Sequence, residues 1–327
     1  MKKFILSAAI LATLASCNYN NTIATNYEAI QFGNAFVENN VRAAEDPSYS
    51  ANDIELFKVY GTVEGDQGPV VIYRGTEITK GTAAYGVAWS CDVKQYWIPG
   101  AQYKFVGIVD GAVDGVTKTN LVNDMPTTVE YTADGITDLL VQTIEKTAKT
   151  DGSSNGLVAF QFAHLLSKVN FTVNNGSTEA DGYSFVVKNI KFNGNTTGVY
   201  DVENSEWLAD KFTTGDTAVG NGDPKEIVVA SGVPSNELTT EVLFLPGTYT
   251  ISFTVDILCD GTVITSTNYP TTGTYQYTLD AAKAYNFNVD VKVGELIQFT
   301  VTTNPTWDNG NTNDSDDDDI NDNVPLL

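Results

Sequence analysis

The chain has 327 residues, 41 acidic against 18 basic side chains and a single histidine, which sets a formal net charge of −23 and an isoelectric point of about 4.1. With 42% hydrophobic residues it can bury a sizeable core, which excludes general disorder. Nucleic acid and anionic membrane surfaces require a positive field that this balance lacks, and one imidazole excludes His-rich metal centres and two-histidine mechanisms.

At the N-terminus, Lys2 and Lys3 precede an apolar run over residues 4–14. That run is too short to span a bilayer, so residues 1–16 read as a targeting segment. It ends Leu14-Ala15-Ser16-Cys17, which resembles a bacterial lipobox. The resemblance implies removal of residues 1–16 and lipidation of Cys17, with acyl chains holding the membrane by about 0.8 kcal/mol per buried methylene. Two cysteines remain, Cys91 and Cys259. An oxidising compartment permits a disulfide between them, but their distance in sequence makes two buried, unpaired thiols the expected state.

Residues 18–28 are polar and Asn-rich and read as a tether. Beyond them Val, Ile, Thr, Tyr and Phe form short runs punctuated by Gly, Asn and Asp. Asn-Gly at 175–176, 193–194 and 221–222, and Asp-Gly at 110–111, 134–135 and 260–261, mark hairpin or loop turns. Residues 138–149 fit either a helix or a strand followed by a charged turn. The Gly-Ser-Ser-Asn-Gly stretch at 152–156 is the most linker-like internal segment and divides the chain into β domains at 43–155 and 156–307.

Further on, Tyr249, Ile251, Phe253, Val255 and Ile257 share one face of an alternating run, as do Phe287, Val289, Val291 and Val293. Ile297, Phe299 and Val301 alternate with Gln298, Thr300 and Thr302. A period of two with one polar face predicts half-buried antiparallel strands, hence an all-β sandwich architecture. Residues 308–327 hold seven aspartates and no aromatic side chain, and read as a disordered acidic tail.

No catalytic constellation is present. His164 sits among Phe160, Phe162, Leu165 and Leu166 with no nucleophile motif beside it, and reads as a packing residue. Gly-rich phosphate loops, metalloprotease helices and Cys-x-x-Cys pairs are absent, so no cofactor and no metal are expected. Acid pairs such as Glu28/Glu38 or Asp110/Asp114 are what any acidic chain contains. The aspartates at 314–319 lack the alternating spacing that folds around a calcium ion. Asp216-Thr217-Ala218 matches a short O-glycosylation pattern of some Gram-negative lineages and carries little information. Trp89, Tyr96 and Trp97 could stack on sugars if exposed, or pack in the core.

Five pieces in order resemble the fimbrillin family, lipoprotein precursors of pili built by donor-strand exchange. After the lipobox comes a β-like segment, Ala29-Ile30-Gln31-Phe32 onward to Val41, then Arg42-Ala43-Ala44. Ile54-Glu55-Leu56-Phe57-Lys58-Val59-Tyr60-Gly61 is similar to the family's first retained strand. Phe162-Ala163-His164-Leu165-Leu166-Ser167-Lys168-Val169 is close to its F-x-H-x-L-S-K-V pattern. Leu279-Asp280-Ala281-Ala282-Lys283-Ala284-Tyr285 resembles L-x-A-G-K-x-Y, with Ala282 where Gly is usual, and Ile297-Gln298-Phe299 with Trp307 closes the series.

The resemblance implies two transthyretin-like antiparallel β-sandwich domains and an outer-membrane lipoprotein that reaches the cell surface. A trypsin-like protease would cut between Arg42 and Ala43, removing the anchor and the first strand in residues 17–42. Ile30, Phe32 and Phe36 share one parity and would leave a groove when removed. Ile297, Phe299 and Val301 are the candidate donor strand for the same groove in another pilus subunit. The acidic tail directly downstream of that run suits a tip or accessory subunit, or a tail displayed on the pilus. The other reading from the residues is a surface lipoprotein that does not polymerise and binds a host or bacterial glycan or protein.

Overall fold

The computed structural model describes residues 27–37, 54–83, 86–111, 115–177, 182–295 and 297–304. The expectations for Cys17, Arg42, Ala43 and residues 308–327 lie outside them. Alternating β-branched and aromatic residues form strands along the whole described chain. These are β1 (Phe32–Val37), β2 (Leu56–Gly65), β3 (Gly68–Ala83), β4 (Gly86–Ser90), β5 (Gln102–Val109), β6 (Thr117–Val122), β7 (Met125–Thr132), β8 (Leu140–Thr147) and β9 (Val158–Phe162). There follow β10 (Ser167–Asn175), β11 (Tyr183–Asp201), β12 (Glu206–Trp207), β13 (Thr213–Val219), β14 (Glu226–Val229), β15 (Ser235–Glu237) and β16 (Val242–Phe244). The last are β17 (Gly247–Cys259), β18 (Thr262–Tyr269), β19 (Tyr275–Leu279), β20 (Ala284–Val291) and β21 (Gln298–Asn304).

The first sandwich sets an antiparallel sheet, β4-β3-β2-β5-β8, against the short parallel pair β1–β9. Of the two readings for residues 138–149 the strand holds, because β8 completes the ladder along β5. On β9, Val158, Phe160 and Phe162 are fully buried in the same core as Phe57, Val59 and Phe105. β9 thus follows the expected boundary at 155/156 in sequence while packing with the elements before it.

In the second sandwich, a nine-stranded sheet along β18-β17-β11-β7-β6 covers a five-stranded one along β15-β10-β20-β21. β11 has 19 residues. Its first part pairs with β14 and β17, and its end pairs with β7, so the β6–β7 hairpin extends a sheet built mainly from the second half of the chain. The aromatic rings of Phe171, Phe192, Phe253, Phe287 and Phe299 fill this core. A third cluster, including Tyr60, Val106, Val129, Tyr131 and Leu245, lies where the two halves meet.

Two turn signals come out differently. Asp260 and Gly261 take left-handed φ of 48° and 78° and close the β17–β18 hairpin, as Asp-Gly predicts. Asn193-Gly194 makes no turn, because it lies inside β11. A Cβ at Gly194 would sit 2.3 Å from Cδ1 of Tyr249, so glycine is required there by the ring packed on it. That Tyr249 hydroxyl bonds the carbonyls of Leu245 and Asn195, both at 2.8 Å.

The segment joining β9 to β10 ties the cores together. Phe162 belongs to the first core, Leu165 and Leu166 to the middle one and Val169 to the last. His164 Nδ1 meets Asp138 Oδ2 at 2.5 Å and is largely covered, in keeping with a packing role. Ser167 is fully buried and its hydroxyl donates to the Asp280 carbonyl at 2.8 Å, while the Ala282 amide donates to Leu166 at 2.8 Å. Two of the family-like sequence pieces, at 162–169 and 279–285, therefore touch each other.

Candidate functional site

The site is the slot occupied by residues 28–33. Its backbone is held on both flanks. On one side the Ile30 amide donates to Gln95 O at 2.8 Å and the Trp97 amide to Glu28 O at 2.9 Å. On the other the Val158 amide donates to Gln31 O at 2.8 Å, and Phe32 and Gly33 pair with Val158 and Ala159. The period of two then sends Ile30 and Phe32 inward, each 6% exposed, and leaves Gln31 in solvent. The Phe32 ring stands edge-on to Tyr73, Phe105 and Phe57 at centroid distances of 5.4, 6.3 and 6.4 Å.

Register changes after this point. A shift between Gly33 and Phe36 places Phe36 opposite the exposed Gln161 and Val37 opposite the buried Phe162. The expectation for the Phe36 side chain lies outside what is described.

Glu28 fastens the start of the segment. Its carboxylate accepts hydrogen bonds from the Asn155 amide at 2.7 Å, the Asn155 side chain at 2.8 Å and the Ser154 hydroxyl at 2.5 Å. The Asn155 backbone bond first, then the Ser154 and Asn155 side chains, hold its pKa below the usual glutamate range. The receiving loop is itself braced. Lys146 Nζ donates to the carbonyls of Asn155 and Leu157 at 3.1 and 2.8 Å, and stands 5.6 Å from the centre of the Trp97 ring. Burial lowers the Lys146 pKa. Gly33 is confined from outside, since a Cβ there would lie 2.5 Å from Cδ1 of Leu157.

The late residues Ile297 and Phe299 are buried in the second core and Val301 is half-buried. Phe299 contacts Tyr275, Phe253 and Phe287 at 4.4, 5.2 and 5.8 Å. Phe299 and Val301 lie on β21, which Ile297 directly precedes, and β21 pairs with β20 and ends its sheet among the described residues. The proposed leaving and donor residues therefore occupy two separate cores of one chain.

The aromatic trio forms no platform: Trp97 is 2% exposed, and Trp89 and Tyr96 are half-buried, Trp89 against Phe57. Thr217 is half-buried on β13 opposite Phe192. Cys91 and Cys259 are free thiols, half-buried rather than buried. Sequence reasoning missed Glu28, Ser154, Asn155 and Leu157. The Gly-Ser-Ser-Asn-Gly run read as linker was the available signal, because such turn residues are also hydrogen-bond donors.

The described residues form an all-β double sandwich with a strand plugged into its first core. The profile of the Fimbrillin-like family matches residues 42–307, and the chain belongs to that family. No curated protein matches it. Among solved structures it is similar to a fimbrial protein from Bacteroides vulgatus, with 14% identity over 76% of this chain and 92% of that one and a TM-score of 0.54. It is also similar to a fimbrial assembly protein from Parabacteroides distasonis, with 13% identity over 77% and 91% of the two chains and a TM-score of 0.39. The first likeness is one of fold.

Proposed function

We propose that this chain is a pilus subunit, or a tip or accessory adhesin, displayed at the cell surface and joined to other pilus subunits by strand exchange. On this reading it is exported as a lipoprotein through Cys17 and held at the outer membrane. A trypsin-like protease then cuts between Arg42 and Ala43, and residues 17–42 leave with β1.

The observation that carries the reading is the position of Ile30 and Phe32. They fill the first core from a segment that precedes Arg42 and lies outside the family match at 42–307. Loss of that segment bares the bonding groups of Gln95, Trp97 and Val158 and empties a slot lined by Phe57, Tyr73 and Phe105. Each of the two lost side chains is worth about 1.5–3 kcal/mol of burial, so the vacancy favours refilling. An unpaired edge beside an apolar slot takes an extended segment by β-augmentation, and Ile297, Phe299 and Val301 supply one. A head-to-tail contact of this kind does not close on itself and builds a filament.

Digestion of the purified precursor with a trypsin-like protease tests this. The expected products are a new N-terminus at Ala43, release of residues 17–42, and oligomers that survive mild denaturant on a sizing column. A chain confirmed to be cut at Arg42 that remains monomeric overturns the polymerising form.

A further inference from the structure

The outer face of the first sheet is only partly covered. On β2 and β5, Tyr60, Val106 and Ile108 point away from the first core and are buried in the middle cluster. The same parity puts Thr62 and Lys104 on that face one row further along, with Val71 and Glu145 as their ladder neighbours. Over this row the covering stops. The β6–β7 hairpin and the turn after β11 wall it in, through Val122, Asn123, Pro126 and Val202, around a cleft of about 620 Å³. That lies within the range of about 300–1,000 Å³ that small-molecule sites occupy. The walls are tied down. Asn123 and Asp124 take left-handed φ of 51° and 61° at the hairpin tip, Asp124 forms an ion pair with Arg74 of β3, and the Val202 amide donates to Thr127 O at 3.0 Å.

The polar groups of the floor are unspent. Thr62 is 8% exposed, yet its hydroxyl meets no partner among the described residues. A hydroxyl so covered is costly to leave without a hydrogen bond. Lys104 lies opposite Glu145 in the β5–β8 ladder, and the two form no ion pair. Lys146 carries its ammonium away from them, to the carbonyls of Asn155 and Leu157.

Two properties set the class of ligand. The backbone of the floor is spent, because β2 pairs with β3 and β5, and β5 with β2 and β8. An extended peptide finds no ladder to join, so recognition falls to side chains. Glu64, Glu145 and Glu203 line the cleft against Lys104, a balance that repels anions, while Lys104 at the centre of the floor opposes a cation.

We propose that this cleft binds a short, uncharged oligosaccharide. The Thr62 hydroxyl and the Lys104 ammonium hydrogen-bond to sugar oxygens, Glu145 accepts from sugar hydroxyls, and Val71, Val122 and Pro126 meet the C–H faces of the rings. This rests on the adhesin form of the proposed function and gives it a ligand. It is independent of strand exchange, since no residue of the cleft belongs to β1 or β21.

The uncut chain, displayed in many copies on beads so that avidity raises weak binding, is offered cellotriose, maltotriose and mannotriose. Sialyllactose, a sulfated disaccharide and a lysine-rich peptide are the charged counterparts. At least one neutral sugar is expected to bind, and the charged probes are not. Thr62→Val keeps the shape and removes the hydroxyl, and Lys104→Met removes the ammonium. Each should weaken binding by about tenfold at an unchanged thermal midpoint, whereas Thr62→Ser retains it. Lys104 has no ion pair to lose, so Lys104→Met decides if Thr62→Val fails to fold. A preference for the charged probes overturns the ligand class, sugar binding that survives both substitutions overturns the place, and binding of none of the sugars overturns the proposal. Beads that still attach to bacterial or host cells after both substitutions leave the adhesin reading standing without this site. Unsubstituted beads that attach to no cell overturn that reading as well.

Discussion

At Ala282 the chain holds an L-residue where its backbone favours glycine. The φ is +60°, in the turn between β19 and β20, and the amide is committed to the Leu166 carbonyl. A Cβ in this region crowds the neighbouring carbonyl, at a cost of roughly 1–2 kcal/mol, part of which glycine gives back through its freer unfolded chain. Ala282→Gly is therefore expected to stabilise the protein by about 1 kcal/mol, read as a higher denaturant midpoint at unchanged slope. The resemblance had already placed glycine at this position, and the turn explains why. Gly194 teaches the opposite lesson. Asn193-Gly194 carries a strong turn signal, yet its glycine answers to the Tyr249 ring from a strand more than fifty residues away, which no local pattern records.

On the proposed strand-exchange reading, the element that matters is the segment from Glu28 through β1, and the lowered pKa of Glu28 makes its attachment sensitive to pH. Docked, Glu28 has a pKa below the ordinary glutamate value of about 4.3; released, it returns to that value. The docked form binds fewer protons, so this contribution is complete above the ordinary value and is lost as pH falls through the lowered one. Asp151, which braces the same loop through Ser153, is shifted in the same direction. Hydrogen exchange at residues 28–33, corrected for intrinsic rates, should show protection falling on acidification below about pH 4.5, and Glu28→Gln should flatten the part due to Glu28. Strand periodicity made much of this level legible: the runs at 249–257 and 287–293 and the Ile297-Phe299 alternation all face cores as their parity requires. Residues 138–149 stayed open because helix and strand patterns overlap in so short a run, and only the ladder along β5 decides. The placement of β9 was illegible for a related reason. Its alternation predicts a buried face, but which core receives that face is a tertiary choice.

Over the whole molecule the charge acts as a brake on association. The formal −23 becomes −25 without Lys2 and Lys3, and −24 once Glu28, Glu38 and Arg42 are also gone. Copies so charged repel over a screening length of about 30 Å at 0.01 M salt and about 8 Å at 0.15 M. Assembly of the cut chain, followed by light scattering, should accelerate over that range of added salt; a slowing would mean that charge pairing drives the contact. Because the segment in the slot is bonded on both flanks, by the Ala29–Tyr96 bridge on one side and β9 on the other, a pull along its axis strains the bonds of both flanks together instead of opening them one by one from one end. Rupture under tension is governed by the rate of that collective slip and not by the equilibrium strength of any one bond. A fibre linked through this slot would resist shear forces from flowing liquid as a set of parallel tethers rather than as a zipper.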